Sequence, residues 1–215
     1  MSTVVAIDGP AGAGKSTVAR MLAEKMGITY VNTGSLYRAV AWSLIQAGRS
    51  VEEISPEFLE SIELEYCDGV LMVNGKDPGV QLRAAEVASG ASVVSKKDFV
   101  RARLLPVQRD AAEKGWIVME GRDIGTVVFP DAKCKFFITA SLEARAQRRL
   151  AQSGEVVQGA SLEDVMQDIA KRDDQDSKRE LAPLKAADDA IIIDTGDMTP
   201  EEVVCAMEKV IISQM

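Results

Sequence analysis

The sequence predicts an α/β protein with a parallel β-sheet that is covered by helices on both faces. Short apolar runs alternate along the chain with longer segments whose apolar residues recur at helical spacing, and this alternation is typical of a parallel sheet. A glycine-rich turn joins the first apolar run to the first helical segment. With 215 residues, 47% of them hydrophobic, the chain is long enough to form one domain, residues 1–215, with a full core.

Each strand and helix follows from its local pattern. Residues 3–8 form a short apolar run that predicts a buried strand, and the helical pattern that begins at Ser16 stops at Gly27, a residue typical of helix ends. The same reasoning predicts strands at 28–33, 116–121, 134–140 and 190–196, and helices at 34–48, 84–95, 98–115, 141–154, 161–180 and 200–214.

The middle of the chain has a different hydrophobic pattern. Residues 62–83 alternate between apolar and polar side chains, with turn signals at Asp68-Gly69 and Asn74-Gly75. This pattern predicts two or three short strands joined by tight turns. We interpret residues 60–95, approximately, as an insert in the α/β core.

Charge and composition exclude several classes of function. The net charge of −8 argues against a broad nucleic-acid-binding surface, although local arginine clusters favour small anionic ligands such as phosphates. The three cysteines form no CxxC pair and the chain has no histidine, which argues against a structural zinc site. Free thiols, no signal peptide and no apolar run of membrane-spanning length together predict a cytoplasmic protein.

The glycine-rich turn carries the most specific motif. Residues 9–16, GPAGAGKS, match the phosphate-binding pattern G-x-x-x-x-G-K-[ST] and lie between a predicted strand and a predicted helix, as that motif requires. Backbone N–H groups would converge on phosphates there. We expect Lys15 to reach the β- and γ-phosphates and Ser16 to hold Mg²⁺. The alternative is a chance glycine turn entering a helix.

A phosphate loop alone indicates only a nucleoside triphosphate site. A GTPase switch would need DxxG and NKxD motifs, and neither occurs, since NGKD at 74–77 has its lysine misplaced. The other class is a small-molecule kinase, which needs a second pocket for a phosphoryl acceptor.

Polar residues that could form this second pocket follow two of the predicted strands. Thr33 and Arg38 come after the second strand, and Glu120, Arg122 and Asp123 follow the strand at 116–121. Ligands of open α/β sheets bind beyond the carboxyl ends of strands. The alternative is that Arg122 and Asp123 form a pair that ties a loop down.

The helix predicted at 161–180 changes character along one face. Its apolar stripe consists of Leu162, Val165, Met166 and Ile169. The next positions on this face are Arg172, Asp173, Asp176 and Arg179. Because a solvated end would keep its charges on the opposite face, we expect Arg172, Asp176 and Arg179 to point into a polar cleft. A frayed helix end with i,i+4 ion pairs remains the alternative.

The preceding helix also carries arginines. Arg145 and Arg149 lie one turn apart with Arg148 beside them, and a glycine-containing loop at 153–160 leads to the next helix. Two arginine-bearing helices joined by such a loop are typical of a lid over phosphates. We place this lid at residues 150–162, approximately.

At this point the sequence resembles the bacterial cytidylate kinases, of the nucleoside monophosphate kinase group. The motifs that carry the resemblance are IDGPAGAGKST, NTGSLYRA, EGRDIGTVVFPDA and KRDDQDSKRELAPL. The resemblance implies a P-loop kinase fold with a small β-containing monophosphate-binding insert and a short lid. It implies ATP-dependent phosphorylation of CMP and dCMP, with Mg²⁺. We also expect a monomer that contacts neither nucleic acid nor membrane.

The resemblance also implies residue roles. The catalytic residues would be Lys15, Arg122 and Arg172. ATP would be bound by Gly9, Pro10, Ala11, Gly12, Ala13, Gly14, Lys15, Ser16 and Thr17, and by Arg145 or Arg149. The acceptor phosphate would contact Arg38, Arg122 and Arg172, cytosine would be read by Ser92, Arg101 and Asp123, and the nucleoside would also meet Thr33, Asp176 and Arg179.

This chemistry needs no general base, because a monophosphate already presents a largely deprotonated oxygen near neutral pH. Catalysis is then positioning and charge neutralisation. Three alternatives stay open from the residues: a UMP kinase, a shikimate- or gluconate-type kinase that uses Asp8 or Glu120 as a base, and a nucleotide-dependent binding module without catalysis.

Overall fold

Parallel strands form the centre of the protein in a computed structural model, which describes residues 4–113, 115–151, 156 and 159–214. The strands are β1 (Val4–Asp8), β2 (Thr29–Asn32), β3 (Leu64–Cys67), β4 (Val70–Val73), β5 (Ile117–Gly121), β6 (Cys134–Thr139) and β7 (Ile191–Asp194). Five of them form the central sheet in the order β2-β5-β1-β6-β7, and each neighbouring pair in it is parallel. The predicted parallel sheet is confirmed.

Helices cover both faces of this sheet. They are α1 (Lys15–Met26), α2 (Gly34–Gln46), α3 (Pro56–Glu60), α4 (Ala85–Val94), α5 (Asp98–Asp110), α6 (Leu142–Ala151), α7 (Leu162–Ser177) and α8 (Pro200–Gln214). Alternate residues of β1 face opposite clusters, as a strand requires. Val5 and Ile7 pack with α1 and α8, whereas Val4 and Ala6 pack with residues 124–132 and with the end of α5.

The turn between β1 and α1 requires glycine at its first position. Gly9 has a φ of 148°, and a Cβ atom there would lie 2.0 Å from the carbonyl oxygen of Ile138 in β6. No other residue fits such a close approach without moving the backbone. The other end of α1 stops at Gly27, whose φ is 65°, in the left-handed conformation that the sequence predicts for a helix end.

The insert contains two strands, which pair as the antiparallel hairpin β3–β4. Its turn residues Asp68 and Gly69 both have positive φ, 50° and 80°, as a two-residue type I′ turn requires. The second turn signal, Asn74-Gly75, closes only an isolated bridge between Val73 and Lys76. The chain then forms a 3₁₀ helix at Gly79–Arg83, so the third strand that the sequence allowed does not form.

The two helices of the predicted lid region, α6 and α7, pack against each other around a small apolar cluster. Residues 152–155 and 157–158 of the predicted lid, 150–162, lie outside the described residues. The helix predicted at 161–180 ends at Ser177, and Pro106 lies inside α5. Among the described helices, none is long and apolar enough to cross a membrane.

Two neighbouring isoleucines of α8 test how much of the stability comes from its buried face. Ile211 is 0% exposed in the cluster that includes α1, whereas Ile212 is 64% exposed. We expect Ile211→Ala to lower the free energy of unfolding by about 2–5 kcal/mol because it leaves a cavity. Ile212→Ala should change it by less than about 0.5 kcal/mol. Chemical denaturation of both variants provides the measurement, and equal losses would contradict this packing.

Candidate active site

A large cleft lies at the carboxyl edge of the central sheet. It has a volume of about 960 Å³, at the upper end of the range of about 300–1,000 Å³ for small-molecule sites. Its lining includes residues 11–18 after β1, residues 32–35 at the end of β2 and residues 120–123 at the end of β5. These three segments meet because parallel strands place their carboxyl ends at one edge.

The cleft is cationic although the chain as a whole is acidic. The formal net charge is −8. Within the described part of the chain, nine arginines and one lysine line the cleft, against four acidic residues. The cations are Lys15, Arg20, Arg38, Arg83, Arg101, Arg122, Arg148, Arg149, Arg172 and Arg179, and the acids are Asp77, Glu120, Asp123 and Asp176. Such an arrangement attracts anionic ligands and repels cations.

The phosphate loop forms one side of the cleft. Gly12 and Gly14 have φ values of 74° and 90°, which lets successive backbone N–H groups turn inward at the start of α1. The ammonium group of Lys15 donates to the carbonyl of Pro10 at 2.7 Å. Burial, reinforced by the positive charge of Arg122, holds the pKa of Lys15 well below its usual range. A phosphate at this position would relieve that electrostatic cost.

Asp8, the last residue of β1, fixes the segment after β5 beside the phosphate loop. Its two carboxylate oxygens accept the backbone N–H groups of Ile124 and Gly125, each at 2.8 Å. Burial raises the pKa of Asp8 to about 6, although these two hydrogen bonds oppose the rise. Because both oxygens already accept hydrogen bonds, Asp8 is poorly placed to take a proton from a substrate hydroxyl.

A second anchored group lies where β2 and β5 end. The hydroxyl of Tyr30 donates to the carboxylate of Glu120, and the side-chain amide of Asn32 donates to Tyr30 at 3.2 Å. The Thr33 hydroxyl donates to the backbone carbonyl of Glu120 at 2.8 Å. Thr33 and Glu120, both predicted at the cleft, therefore hold the two strand ends together at its base.

Arg101 and Asp123 form an ion pair that lines the cleft. Both are mostly buried, and the guanidinium of Arg101 lies 5.7 Å from the centre of the Tyr37 ring. Burial raises the pKa of the Asp123 carboxyl, while the charge of Arg101 opposes the rise. The pair thus offers both a hydrogen-bond acceptor and a donor beside an aromatic surface.

The charged end of α7 faces inward, as the stripe along this helix predicts. Asp176 is 3% exposed, accepts the Nε–H of Arg122 at 3.0 Å and also pairs with Arg179. This geometry contradicts the alternative of a solvated helix end. It also contradicts a direct pair between Arg122 and Asp123, since Arg122 bonds α7 and Asp123 bonds Arg101.

Two of these arginines carry buried donors that no described group satisfies. The Nε atoms of Arg172 and Arg179 have no hydrogen-bond partner among the described residues. Burial, together with the charge of Arg122, lowers the pKa of Arg172 to about 10. A buried donor without a partner is costly, so this corner of the cleft, with its excess of arginines, is suited to a phosphate group.

The structure brings most of the predicted site residues to the cleft. Those that line it are residues 11–17 and Thr33, Arg38, Arg101, Arg122, Asp123, Arg149, Arg172, Asp176 and Arg179. Gly9 and Pro10 form the start of the loop behind this lining. Ser92 and Arg145 do not line it. Ser95, one turn after Ser92, lines it instead and accepts a hydrogen bond from Arg179 at 3.1 Å.

Several cleft residues were not predicted from the sequence. Among them are Tyr30, Tyr37, Ser95 and Thr195. Tyr37 lies within the helix predicted at 34–48 and Ser95 ends the helix predicted at 84–95, and no local pattern distinguishes either residue from its neighbours. Arg148 was noted only as a neighbour of the two arginines assigned to ATP, yet it lines the cleft and donates to the hydroxyl of Thr195 at 2.9 Å.

Comparison with solved structures supports the fold. The shikimate kinase from Acinetobacter baumannii in complex with shikimate superposes with a TM-score of 0.50 at 16% identity, covering 98% of this chain and 93% of its own. An uncharacterized protein from Eubacterium ventriosum gives a TM-score of 0.53 at 15% identity, covering 98% of both chains. At these identities the likeness concerns the fold alone, and it confirms the predicted P-loop kinase fold.

Comparison of sequences identifies the family. A family model for cytidylate kinase matches residues 5–213. A cytidylate kinase from Thermotoga sp. (strain RQ2) is 44% identical over 218 residues, covering 100% of this chain and 99% of its own. One from Bacillus thuringiensis (strain Al Hakam) is 41% identical over 206 residues, covering 93% of this chain and 92% of its own. The chain therefore belongs to the cytidylate kinase family, as its motifs predicted.

Proposed function

We propose that this protein transfers the γ-phosphoryl group of ATP to CMP and dCMP, forming CDP and dCDP. The observation that carries the proposal is one cleft with two unlike sides. The phosphate loop forms one part of its lining, and the Arg101–Asp123 pair forms another, together with Arg172, whose buried Nε has no partner among the described residues. A kinase for a small anionic acceptor needs this arrangement, because both phosphates must meet in line.

On the donor side, residues 9–17 form the loop that holds the phosphates of ATP, with the backbone N–H groups of residues 12–17 and the start of α1 as donors. Lys15 neutralises charge on the transferring group. Arg149 lines the same cleft and acts on the ATP phosphates. Arg145 was assigned the same contact from the resemblance, but the structure places it behind the phosphate loop, where it bonds the carbonyl of Ala11 at 2.9 Å. Arg145 therefore supports the phosphate loop and does not contact ATP directly.

On the acceptor side, Arg38, Arg122 and Arg172 bind the monophosphate. Arg38 and Arg122 both lower the pKa of Arg172 through their charges, so the three guanidinium groups lie close together. Arg122 and Arg172, with Lys15 across the cleft, neutralise the charge that develops during transfer. Thr33 forms part of the floor of the cleft, where β2 and β5 end.

The cytosine base would be recognised by the Arg101–Asp123 pair. Its N4 amino group is a donor and needs an acceptor such as Asp123, while its N3 and O2 atoms accept from Arg101. Ser92, predicted for the same task, lies one turn from the cleft-lining Ser95, and its backbone carbonyl accepts the Ser95 hydroxyl at 3.2 Å. Asp176 and Arg179 would contact the sugar and its surroundings.

Mg²⁺ fits the oxygen donors at the cleft, as a partner of ATP. Among the described residues, no group of three or more acidic, cysteine or histidine side chains could cage a metal. Mg²⁺ commonly binds through one or two protein oxygens together with substrate phosphates and waters. Ser16 would hold it directly, with Glu120 or Asp8 acting through water, and the ion would neutralise phosphate charge.

Residues 60–95 act as the monophosphate-binding insert in this proposal, since Leu71, Asp77, Leu82 and Arg83 line the cleft. Residues 150–162 act as the lid. The three cysteines are free, which suits a cytoplasmic enzyme, and we infer a monomer. A shikimate-type kinase is disfavoured because it would need an acidic base, and both candidates are engaged: Asp8 accepts two backbone N–H groups and Glu120 accepts the hydroxyl of Tyr30.

One assay separates these activities. ADP release is measured by a coupled reaction with CMP, dCMP, UMP, AMP and shikimate as acceptors. We expect CMP and dCMP to give the highest kcat/KM. Turnover with shikimate alone, or ATP binding without any turnover, would contradict the proposal.

Lys15→Met tests the donor side. Because the ammonium group is expected to neutralise charge on the transferring phosphoryl group, kcat should fall by roughly three or more orders of magnitude. The variant should still fold, since Lys15 faces a ligand and its methionine replacement keeps the apolar stem. Steady-state kinetics with circular dichroism checks both points, and near-normal turnover would refute phosphoryl transfer at this loop.

Asp123→Asn tests base recognition. The substitution keeps the shape but turns a pure acceptor into a mixed donor and acceptor. We expect kcat/KM to fall more for CMP than for UMP, because the aspartate favours an amino donor. Equal losses for both substrates would mean that Asp123 only supports Arg101.

Asp176→Ala tests the acceptor side. A charged hydrogen bond is worth about 1.5–3 kcal/mol, so kcat/KM for CMP should fall roughly 10- to 100-fold. The KM for ATP should change little, because the donor lies across the cleft. Loss of the aspartate also frees Arg122 and Arg179, so kcat should fall beyond the binding loss. The measurement is steady-state kinetics with each substrate varied in turn, and unchanged CMP kinetics would show a structural role only.

A further inference from the structure

The peptide groups around Ala11, at the third position of the phosphate loop, are held by a side-chain pair that lies outside the loop. The backbone N–H of Ala11 donates to Oδ1 of Asp173 at 3.0 Å. The carbonyl oxygen of Ala11 accepts from Nη1 of Arg145 at 2.9 Å. Arg145 and Asp173 also pair with each other. Together the two side chains form a closed ring of hydrogen bonds around one residue of the loop.

Packing reinforces this ring. The methyl group of Ala11 lies in the apolar cluster between α6 and α7, with Ala146, Val165 and Ile169. A Cβ atom at Gly12 would lie 2.9 Å from the backbone carbonyl oxygen of Arg145. The first half of the phosphate loop is therefore docked directly against the α6–α7 pair of helices.

Arg145 is committed to this structural task. It is 8% exposed, and its Nε–H donates to the carbonyl of Ala140 at 3.0 Å, in addition to its bonds to Ala11 and Asp173. A buried guanidinium with these partners has one fixed position, and it holds the phosphate loop against α6. By contrast, Arg148 and Arg149 on the same helix line the cleft.

Asp173 occupies a distinctive position on α7. It directly follows Arg172, which has an unsatisfied buried Nε in the cleft, and it precedes Asp176 by three residues. One helix thus carries a group that holds the donor loop and groups that face the acceptor. The N–H of Ala11 is used by Asp173, although Ala11 and the loop residues after it line the cleft.

We propose that Asp173 is a positioning residue for ATP, which acts with Arg145 by fixing the phosphate loop against α6 and α7. This inference rests on the proposed kinase function and deepens it, because it links the donor site to the helix that bears the acceptor residues. A loop that is held in its binding conformation loses less conformational entropy when ATP binds. Without Asp173, the Ala11 N–H and the Arg145 guanidinium both lose a buried partner, and the loop gains alternative conformations.

Direct ATP binding to the full chain, measured by calorimetry without any acceptor, is the central test. We expect Asp173→Ala to weaken ATP binding by about 10- to 100-fold, the range for loss of a charged hydrogen bond. Asp174→Ala is the matched control, because Asp174 is the next residue, its side chain is 57% exposed and its ion pair in the described part of the chain is with Lys178, one turn further on. Its ATP affinity should stay within about two-fold of the wild type.

Steady-state kinetics separates positioning from general damage to the fold. In Asp173→Ala the KM for ATP should rise while the KM for CMP changes by less than about three-fold. A purely structural role would lower the active fraction, and hence kcat, while leaving both KM values unchanged. Equal rises of both KM values would mean that α7 is distorted as a whole, and either result overturns the proposal.

A second variant covers the case in which Asp173→Ala does not fold. Asp173→Asn keeps an oxygen that accepts the Ala11 N–H but removes the charge that pairs with Arg145, so its ATP affinity should lie between those of wild type and Asp173→Ala. If the folded Asn variant binds ATP as tightly as wild type and Asp173→Ala is unfolded or also unimpaired, the positioning role is wrong. If the wild type itself binds no ATP, the proposed function fails, independently of Asp173.

Discussion

The site depends on one interaction, the pair of hydrogen bonds that the buried carboxylate of Asp8 accepts. Located at the end of the central strand, it binds the backbone N–H groups of Ile124 and Gly125 and so locks the turn that carries Arg122 and Asp123 beside the phosphate loop. Because burial raises the pKa of this carboxyl from 3.8 to about 6, its ionisation opposes folding by roughly 3 kcal/mol above that pH. The penalty shrinks as pH falls through 6 and is absent below the unfolded pKa.

Helix α7 extends this organisation across the cleft. Its apolar first half is buried through Val165 and Ile169, and this packing points the charged second half inward without a change of face. Asp176 in this half forms ion pairs with Arg122 and Arg179. The same helix that completes a hydrophobic cluster therefore sets the spacing of the cations, so packing and electrostatics in this protein have a common origin.

Local patterns were sufficient to predict the phosphate loop, the parallel strands, the Asp68-Gly69 turn and the inward face of α7. They failed where the outcome depends on partners distant in sequence. Asp173 and Ala11 are 162 positions apart, so no periodicity indicates their bond, and the burial of Arg145 depends on how α6 packs. The third strand of the insert fails because Pro78 fixes its φ and has no N–H to extend the ladder.

The unpaired Nε of Arg172 and the concentration of like charges around it have a consequence for the lifetime of the protein in the cell. Without bound nucleotide Asp176 offsets only part of the repulsion among these arginines, whereas a bound phosphate supplies further negative charge. Ligand that binds only the folded state adds RT ln(1 + [L]/Kd) to its stability. Resistance to heat and to proteolysis should therefore follow the abundance of nucleotides, so that starvation for them shortens the survival of the enzyme itself.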